Sequence, residues 1–553
     1  MILIRNTFNK LVLTIALLSG FFYSIPSRSQ SDGFEIIKNL ELIELITREL
    51  DKYFVDKPIP GKLMKAAIDA MLMELDPYTV LINEANIEDY RLMSTGQYGG
   101  VGAGVRSSNN FVFFSDIFED NPAQKAGLKA GDIILSIDGK SMQGKKSDEV
   151  SDFLRGPKGT KIKVEIERPF VGKKIFDVTR DEVVIPDVPH ATMIDNGVGY
   201  IKLTSFSQKA FISVKTAYDD LVKQGMTSLV FDLRGNGGGV LTEAVKIVNM
   251  FVPKGIEVVR TKGRIDEENM VYFTESAPTD LNIPLVVLVD GMSASASEIV
   301  AGALQDLDRA VIIGGNTFGK GLVQRVMPLK YGSQLKLTIA RYYTPSGRCV
   351  QRLDYSNRKD GESAQAIDET QVTYFKTKNG RKVRDARGVD PDIEIEEASF
   401  SRLTITLLLE NVIFDFATKF AHQNPTIATA DKFKVTDDIF SEFKKFTESR
   451  NITYKTESEE ILSMLLESGE KEKLLNENSP EYQQLLKLVK ASLTRDLDKY
   501  RSEIVELLED EIVSRYYFQK GRVINSFKND DALIQAIATL QNQTGYKKIL
   551  SGK

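Results

Sequence analysis

The chain has few of the side chains from which most hydrolase and metal sites are built. Its 553 residues include one cysteine, Cys349, and two histidines, His190 and His422. One cysteine rules out an intrachain disulfide framework and any multi-cysteine metal site. Two histidines add too few ligands for a dedicated zinc centre, so no metal and no cofactor is expected. A Ser-His-Asp triad needs a histidine beside the serine and a carboxylate behind it. Neither histidine stands in a glycine-framed or strand-end motif. The chain also lacks a strong charge of one sign. Its 72 Lys+Arg against 77 Asp+Glu leave a net charge of −5, which gives no basic footprint for nucleic acid. Beyond the N-terminus, no segment is apolar enough to span a bilayer.

The N-terminus carries a targeting pattern. Arg5 and Lys10 accompany an apolar stretch from Leu11 to Ile25, and Ser27-Arg28-Ser29 offers small residues for cleavage. The stretch falls short of the roughly 20 apolar residues of a membrane span. A cleaved signal over residues 1–29 is therefore expected rather than an uncleaved anchor. Export of a chain without disulfides fits a bacterial periplasm or cell envelope.

Four further regions follow. Residues 30–96 have helical spacing, with Ile36, Ile37, Leu40, Ile43 and Leu50 on one face and a second helix from Leu63 stopped by Asp76-Pro77. Residues 97–170 alternate glycine clusters with short apolar runs such as Phe111–Phe114 and Ile133–Leu135, which predicts a small β-rich module. Residues 171–400 alternate buried-strand runs (Ser228–Arg234, Pro284–Asp290, Ala310–Ile313) with helical ones (Leu241–Phe251, Ser297–Leu307). That pattern is an α/β core with strands covered on both faces. Residues 401–553 are helical and charged, with Leu486, Val489, Leu493, Leu497, Tyr500, Ile504 and Leu507 at three- and four-residue spacing.

The chemistry concentrates in two segments of the α/β region. Asp290-Gly-Met-Ser-Ala-Ser295-Ala-Ser-Glu298 runs from a strand end into a helix. Ser295 there meets the unpaired N–H groups and favourable dipole of a helix N-terminus, as a tetrahedral oxyanion requires. Gly314-Gly-Asn-Thr-Phe-Gly319-Lys320-Gly-Leu-Val-Gln324 supplies a lysine in place of the missing histidine base. A lysine serves as a base only where burial disfavours its charged form. If the segment is extended, Gln324 faces the same side as Lys320 and can orient the amine. A second glycine turn, Asp232-Leu-Arg-Gly235-Asn-Gly-Gly-Gly239, can bring backbone amides close to a ligand. Small-residue packing at Ser295, a tight βα turn at Gly235 and a surface lysine at Lys320 are the bland alternatives. Gly314–Lys320 matches a P-loop up to its last position, where Gly321 replaces the magnesium-binding hydroxyl. In the β-rich module, Tyr98-Gly99-Gly100-Val101-Gly102 precedes a strand, an arrangement that can capture a terminal carboxylate beside a peptide-pairing edge.

Taken together, these motifs resemble the C-terminal processing, or tail-specific, serine peptidase family over roughly residues 35–395. Ala126-Gly-Leu-Lys-Ala-Gly-Asp-Ile-Ile-Leu resembles a PDZ domain, while Arg341-Tyr-Tyr-Thr-Pro-Ser-Gly-Arg348 and Gly388-Val-Asp-Pro-Asp-Ile393 match the family core. The resemblance implies a ClpP/crotonase-like α/β core with an inserted PDZ module and helical regions on either side. It implies a serine endopeptidase with Ser295 as nucleophile, Lys320 as base and Gln324 orienting the lysine. Gly235 and Ala296 match the oxyanion hole, and Gly99, Gly100, Val101, Gly102 and Arg155 the peptide-binding side. The implied partners are polypeptides with free C-termini; a homo-oligomer through the helical regions and an adaptor protein are compatible with this reading. A secreted PDZ scaffold with a dead core, or a P-loop ATPase, are the rivals from other classes.

Overall fold

The computed structural model describes residues 28–83, 96–195, 197–358, 363–396 and 399–552. All but the last two residues of the expected signal segment lie outside this set. The chain divides into two compact units, Met1–Leu81 and Ile82–Lys553. No helix among the described residues is long and apolar enough to cross a membrane.

Among the described residues, the first unit contains two helices, α1 (Arg28–Tyr53) and α2 (Pro60–Met73). Pro60 opens α2, where its missing N–H costs nothing. Asp76 ends the region as expected, its carboxylate accepting the N–H groups of Tyr78 and Thr79, each at 2.8 Å. The apolar face of α1 stays uncovered among the described residues, with Ile36, Ile37, Leu40, Ile43 and Leu50 between 36% and 62% exposed.

The second unit begins with the β-rich module: β1 (Gln97–Gly100), β2 (Ala103–Ser108), β3 (Phe111–Ile117), α3 (Pro122–Ala126), β4 (Ile133–Ile137), α4 (Ser147–Leu154), β5 (Lys161–Arg168), β6 (Gly172–Thr179) and β7 (Asp181–Val184). The sheet order is β2-β3-β4-β5-β6, and β1 pairs separately with β7. Strand β2 is therefore an edge, as a peptide-pairing strand must be. Residue 170 falls in the turn of the β5–β6 hairpin, whose register runs from Lys161↔Thr179 to Arg168↔Gly172, and β7 follows to pair with β1.

Next comes a six-stranded sheet in the order β8 (His190–Asp195), β9 (Val198–Lys202), β10 (Ser228–Asp232), β12 (Leu285–Val289), β13 (Val311–Gly314) and β16 (Ile393–Glu394). All its pairings are parallel except β8–β9. Helices α5 (Ala210–Lys223), α6 (Leu241–Asn249) and α7 (Ala296–Asp306) belong to this core. Strand β11 (Glu257–Gly263) pairs instead with β15 (Gln334–Tyr343), which also pairs with β14 (Leu322–Pro328). The apolar runs of the central strands split by parity. Leu229, Phe231, Leu285, Val287, Val289 and Ile312 join the cluster that contains Val248, Ile299 and Leu304 of α6 and α7. Val230, Val286, Leu288, Val311 and Ile313 face the other way.

That second face is covered by the far end of the chain. Helices α8 (Arg402–Leu409), α9 (Val412–Gln423), α10 (Asp437–Glu448), α11 (Glu457–Lys471), α12 (Pro480–Val489), α13 (Leu493–Lys499) and α14 (Arg501–Ser526) precede α15 (Asp531–Gln541) and α16 (Gln543–Leu550). Residues from α8 to α10 and from α13 to α14 form a core of their own. In contrast, Val523, Ala532, Leu533, Ala536, Leu540 and Tyr546 pack on the sheet. The Tyr546 hydroxyl accepts the N–H of Leu285 and donates to its carbonyl, at 2.9 and 3.1 Å. The C-terminal helical region expected over 401–553 thus includes a last stretch that packs on the sheet of the α/β core. The expected single apolar stripe from Leu486 to Leu507 also divides, across α12, α13 and α14. Each large buried side chain on that face contributes about 1.5–3 kcal/mol. Truncation after residue 522 is therefore expected to unfold the core, read as loss of the cooperative thermal transition and of soluble yield.

Candidate active site

The Ser295 turn follows directly from β12. Asp290 closes it, its carboxylate accepting the N–H groups of Met292 and Ser293 at 3.0 and 2.9 Å. Three serines follow, and only one has a hydroxyl uncommitted to the glycine turn. Ser293 and Ser297 are fully buried, their hydroxyls donating to the carbonyls of Leu233 and Asn236 at 2.9 and 2.8 Å. Ser295 is half-buried at the N-cap of α7, with φ +56° and ψ −111°. A side-chain-bearing residue holds that backbone only where its surroundings enforce it. Here the Ser295 N–H donates to Glu298 Oε2 at 2.8 Å, and the buried Tyr342 hydroxyl donates to the Ser295 carbonyl at 3.1 Å.

The glycine turn after β10 packs against the Ser295 turn. The Asn236 carbonyl accepts the Ala294 N–H at 3.0 Å, and its side-chain amide donates to the Leu203 carbonyl at 2.9 Å. Gly238 has φ +100°, and a Cβ there would lie 2.8 Å from Ser295 Cβ and 2.9 Å from the Ala296 nitrogen, so only glycine fits. The N–H of Ala296 has no acceptor among the described residues, as an oxyanion donor requires. Gly235 does not fit the expected donor role. Its N–H donates to both oxygens of Asp290 at 3.0 Å, and an amide held by a carboxylate repels a second anion's approach. The Gly238 N–H is committed to Asn236 Oδ1. Within the turn, Gly237 and Gly239 have N–H groups without an acceptor among the described residues.

Glu298 joins the two segments. It is fully buried, and each of its oxygens accepts two bonds. Oε2 takes the N–H groups of Ser295 (2.8 Å) and Lys320 (2.9 Å), and Oε1 takes the Gly319 N–H and the Thr317 hydroxyl, both at 2.7 Å. Burial pushes the Glu298 carboxyl above its ordinary value, against the pull of these four donors. One carboxylate therefore fixes the backbone of Ser295 and of Lys320 together. The same contacts dispose of a phosphate cradle. The amides of Gly319 and Lys320 are occupied by an anionic side chain, and those of Gly315, Thr317 and Phe318 by the carbonyls of Val289, Val389 and Ser293. Among the described residues, no group of three or more His, Cys, Asp or Glu side chains could hold a metal ion.

Gln324 lies in β14 opposite Thr338, where β15 carries one extra residue, Ile339, between the partners of Val323 and Gln324, and its amide donates to the Thr338 hydroxyl at 3.3 Å. Lys320 itself lies two residues before β14 begins at Leu322. The remaining motifs meet behind α7. Arg348 is fully buried and donates to Gln305 Oε1 at 2.7 Å while pairing with Asp306 at 2.9 Å. The Val389 N–H donates to Thr317 Oγ at 2.6 Å, which continues the chain of contacts to Glu298.

In the β-rich module, the glycine segment divides. Gly99 and Gly100 lie within the β1–β7 pairing, and the Gly99 carbonyl accepts the Gly156 N–H at 3.0 Å. The N–H groups of Val101 and Gly102 have no acceptor among the described residues and lead directly into edge strand β2. Arg155 caps the C-terminus of α4, with its guanidinium 5.8 Å from the centre of the Tyr98 ring, just before the glycines. Burial pushes the Tyr98 hydroxyl up to about 12.

Comparison with known proteins covers all three folded parts of the second unit. The profile of Peptidase family S41 matches residues 197–355, that of a PDZ domain 114–168, and that described as "Probable PDZ-protease, C-terminal helical domain" 403–540. A carboxy-terminal-processing protease of Bartonella bacilliformis is 39% identical over 303 residues, 54% of this chain and 69% of the relative. A probable CtpA-like serine protease of Staphylococcus aureus strain N315 is 30% identical over 449 residues, 81% of this chain and 88% of the relative. Among solved structures, a photosystem II D1 C-terminal processing protease aligns with 63% of this chain and 91% of its own, at 28% identity and a TM-score of 0.35.

Proposed function

The chain belongs to the carboxy-terminal-processing serine protease family, with a Peptidase S41 core and a PDZ domain, and from that premise we propose that it is an exported endopeptidase that uses a Ser295–Lys320 dyad to cut polypeptides whose free C-termini its PDZ domain has captured. The layered, mostly parallel core is consistent with a ClpP/crotonase-type peptidase. The observation that carries the dyad is the buried Glu298 carboxylate, which holds the Ser295 and Lys320 amides on one oxygen.

In the proposed reaction the neutral Lys320 amine takes the Ser295 hydroxyl proton as the oxygen attacks the scissile carbonyl. The Ala296 N–H and an unpaired amide of Gly237 or Gly239 receive the oxyanion. The lysine then delivers its proton to the departing amine, and later removes one from the water that releases the acyl group. Gln324, on the strand that follows Lys320, and Thr338, beside it on β15, position the amine. Val101 and Gly102 offer amides to a substrate carboxylate, and edge strand β2 pairs with its last residues.

Tail capture has a direct test. A peptide with a free C-terminus is expected to be cleaved with kcat/KM on the order of tenfold or more above its amidated twin, since the carboxylate's charge-assisted bonds are each worth about 1.5–3 kcal/mol. Deleting the whole module, residues 97–184, should erase this preference. Equal cleavage of the two peptides by the intact protein contradicts capture and leaves the Ser295–Lys320 chemistry standing.

A further inference from the structure

The glycine turn is braced from the far end of the chain. Arg234, immediately before Gly235, lies between two aspartates. Its Nε and Nη2 donate to Asp232 at 3.0 and 2.7 Å, and its Nη1 and Nη2 to Asp530 at 2.8 and 2.6 Å. Asp232 is fully buried and the Asp530 side chain is 9% exposed. Lys202 completes the cluster, donating to Asp232 Oδ2 at 3.3 Å and to the Arg234 carbonyl at 3.0 Å. Tyr200 donates to Asp232 Oδ2 at 2.6 Å, and Arg234's own N–H to Asp232 Oδ1 at 2.9 Å. Burial pulls the Asp232 carboxyl up, but Arg234 and Lys202 outweigh it and hold the group below the usual carboxylate range.

Charge arithmetic makes Asp530 necessary. Two cations, Arg234 and Lys202, face two carboxylates in a site screened from water. Without Asp530 the cluster carries one net positive charge, and half of the bidentate guanidinium contacts lose their acceptor. The strain would fall on the backbone at Arg234, one residue before the Gly235–Asp290 contact and two before the Asn236 carbonyl that receives the Ala294 N–H. The partner lies 296 residues away in sequence, in a segment outside the peptidase motifs.

We propose that Asp530, in the C-terminal helices, is a positioning residue for the reaction: through Arg234 it sets the glycine turn that offers amides to the oxyanion beside Ser295. This rests on the protease reading above. Asp530 also caps α15, its Oδ1 accepting the Leu533 N–H at 3.0 Å. Asparagine caps a helix as well as aspartate does, so Asp530→Asn removes the charge and the bidentate pair while keeping the cap.

The test compares the full-length protein with Asp530→Asn, Asp530→Glu and Leu540→Ala, the last removing an apolar side chain that is 2% exposed on the same helix and takes no part in the hydrogen bonds of the ion cluster. Cleavage of a free-acid peptide is measured per folded molecule, with Ser295→Ala as the blank. Asp530→Asn is expected to lower kcat about 10- to 100-fold, as a displacement near 1 Å does, with KM little changed. Asp530→Glu should recover part of the loss, and Leu540→Ala should keep the normal kcat while melting earlier. Hydrogen exchange of the 234–240 backbone should quicken in Asp530→Asn and not in Leu540→Ala. Unchanged kcat and unchanged exchange in Asp530→Asn, or equal effects in Leu540→Ala, would overturn the role of Asp530. Cleavage no greater than the Ser295→Ala blank by the unsubstituted protein would instead overturn the protease reading, and exchange at 234–240 would still report on the brace.

Discussion

Ser295→Ala is expected to lower kcat/KM by on the order of 10⁴-fold or more, and Lys320→Ala to lower it by a similar factor, with the fold of each variant intact. Nucleophile and base act in one step, so removing either removes the step, and the double variant should be no worse than the single ones. What activity remains comes from binding and the oxyanion-site amides. The shared anchor supports this proposed coupling: Ser295 and Lys320 hang by their amides from the same oxygen of Glu298. Steady-state kinetics on one free-acid peptide, with circular dichroism to check the fold, measures all three. Near-normal turnover in Lys320→Ala would remove lysine from the mechanism.

Glu298 should give the second largest effect, because its loss disturbs stability and catalysis together. Alanine at 298 strands four donors in a fully buried position: the N–H groups of Ser295, Gly319 and Lys320 and the Thr317 hydroxyl. Each buried, unsatisfied donor costs about 1–3 kcal/mol, less where water can enter. Glu298→Gln keeps one acceptor oxygen and turns an NH₂ group toward the other two donors. It is expected to destabilise the protein by roughly 2–4 kcal/mol and to lower kcat by on the order of 10²-fold, through movement of the Lys320 loop. Glu298→Ala should exceed it on both counts. Denaturant unfolding and kcat measured side by side check this; wild-type kcat in a folded Glu298→Gln would show that the carboxylate does not align the dyad.

The Ser295 turn was legible because its determinants are local. A strand-length apolar run, a cluster of small residues and a helix-forming segment place Ser295 at a helix N-terminus without help from distant residues. The two-faced core strands were legible for the same reason, since Leu285–Val289 is apolar without alternation. What the sequence hid depends on contacts between distant segments. Gly235 and Gly237 look alike in a glycine-rich string, and only the Asp290 carboxylate, 55 residues on, tells which amide is occupied. Glu298 reads as an ordinary first-turn acidic residue, favoured by the helix dipole; its four donors include a loop 19 to 22 residues away. The register shift beside Gln324 comes from Ile339, the extra residue of partner strand β15 between Ala340 and Thr338, rather than from its own segment. The hairpin that continues past residue 170 was hidden because a hairpin turn carries the same punctuation as a linker. That the last C-terminal helices pack on the α/β sheet was hidden because helical periodicity gives the direction of an apolar face and not the surface that covers it.

The most direct measurement of the central claim is the mass of the intact protein after reaction at neutral pH with a peptide fluorophosphonate, followed by mapping of the modified residue. The account predicts one adduct per chain, on Ser295, with labelling slowed on the order of 10²-fold or more in Lys320→Ala, because the serine then has no base. Labelling on a different residue, or undiminished labelling of Ser295 without Lys320, would contradict it.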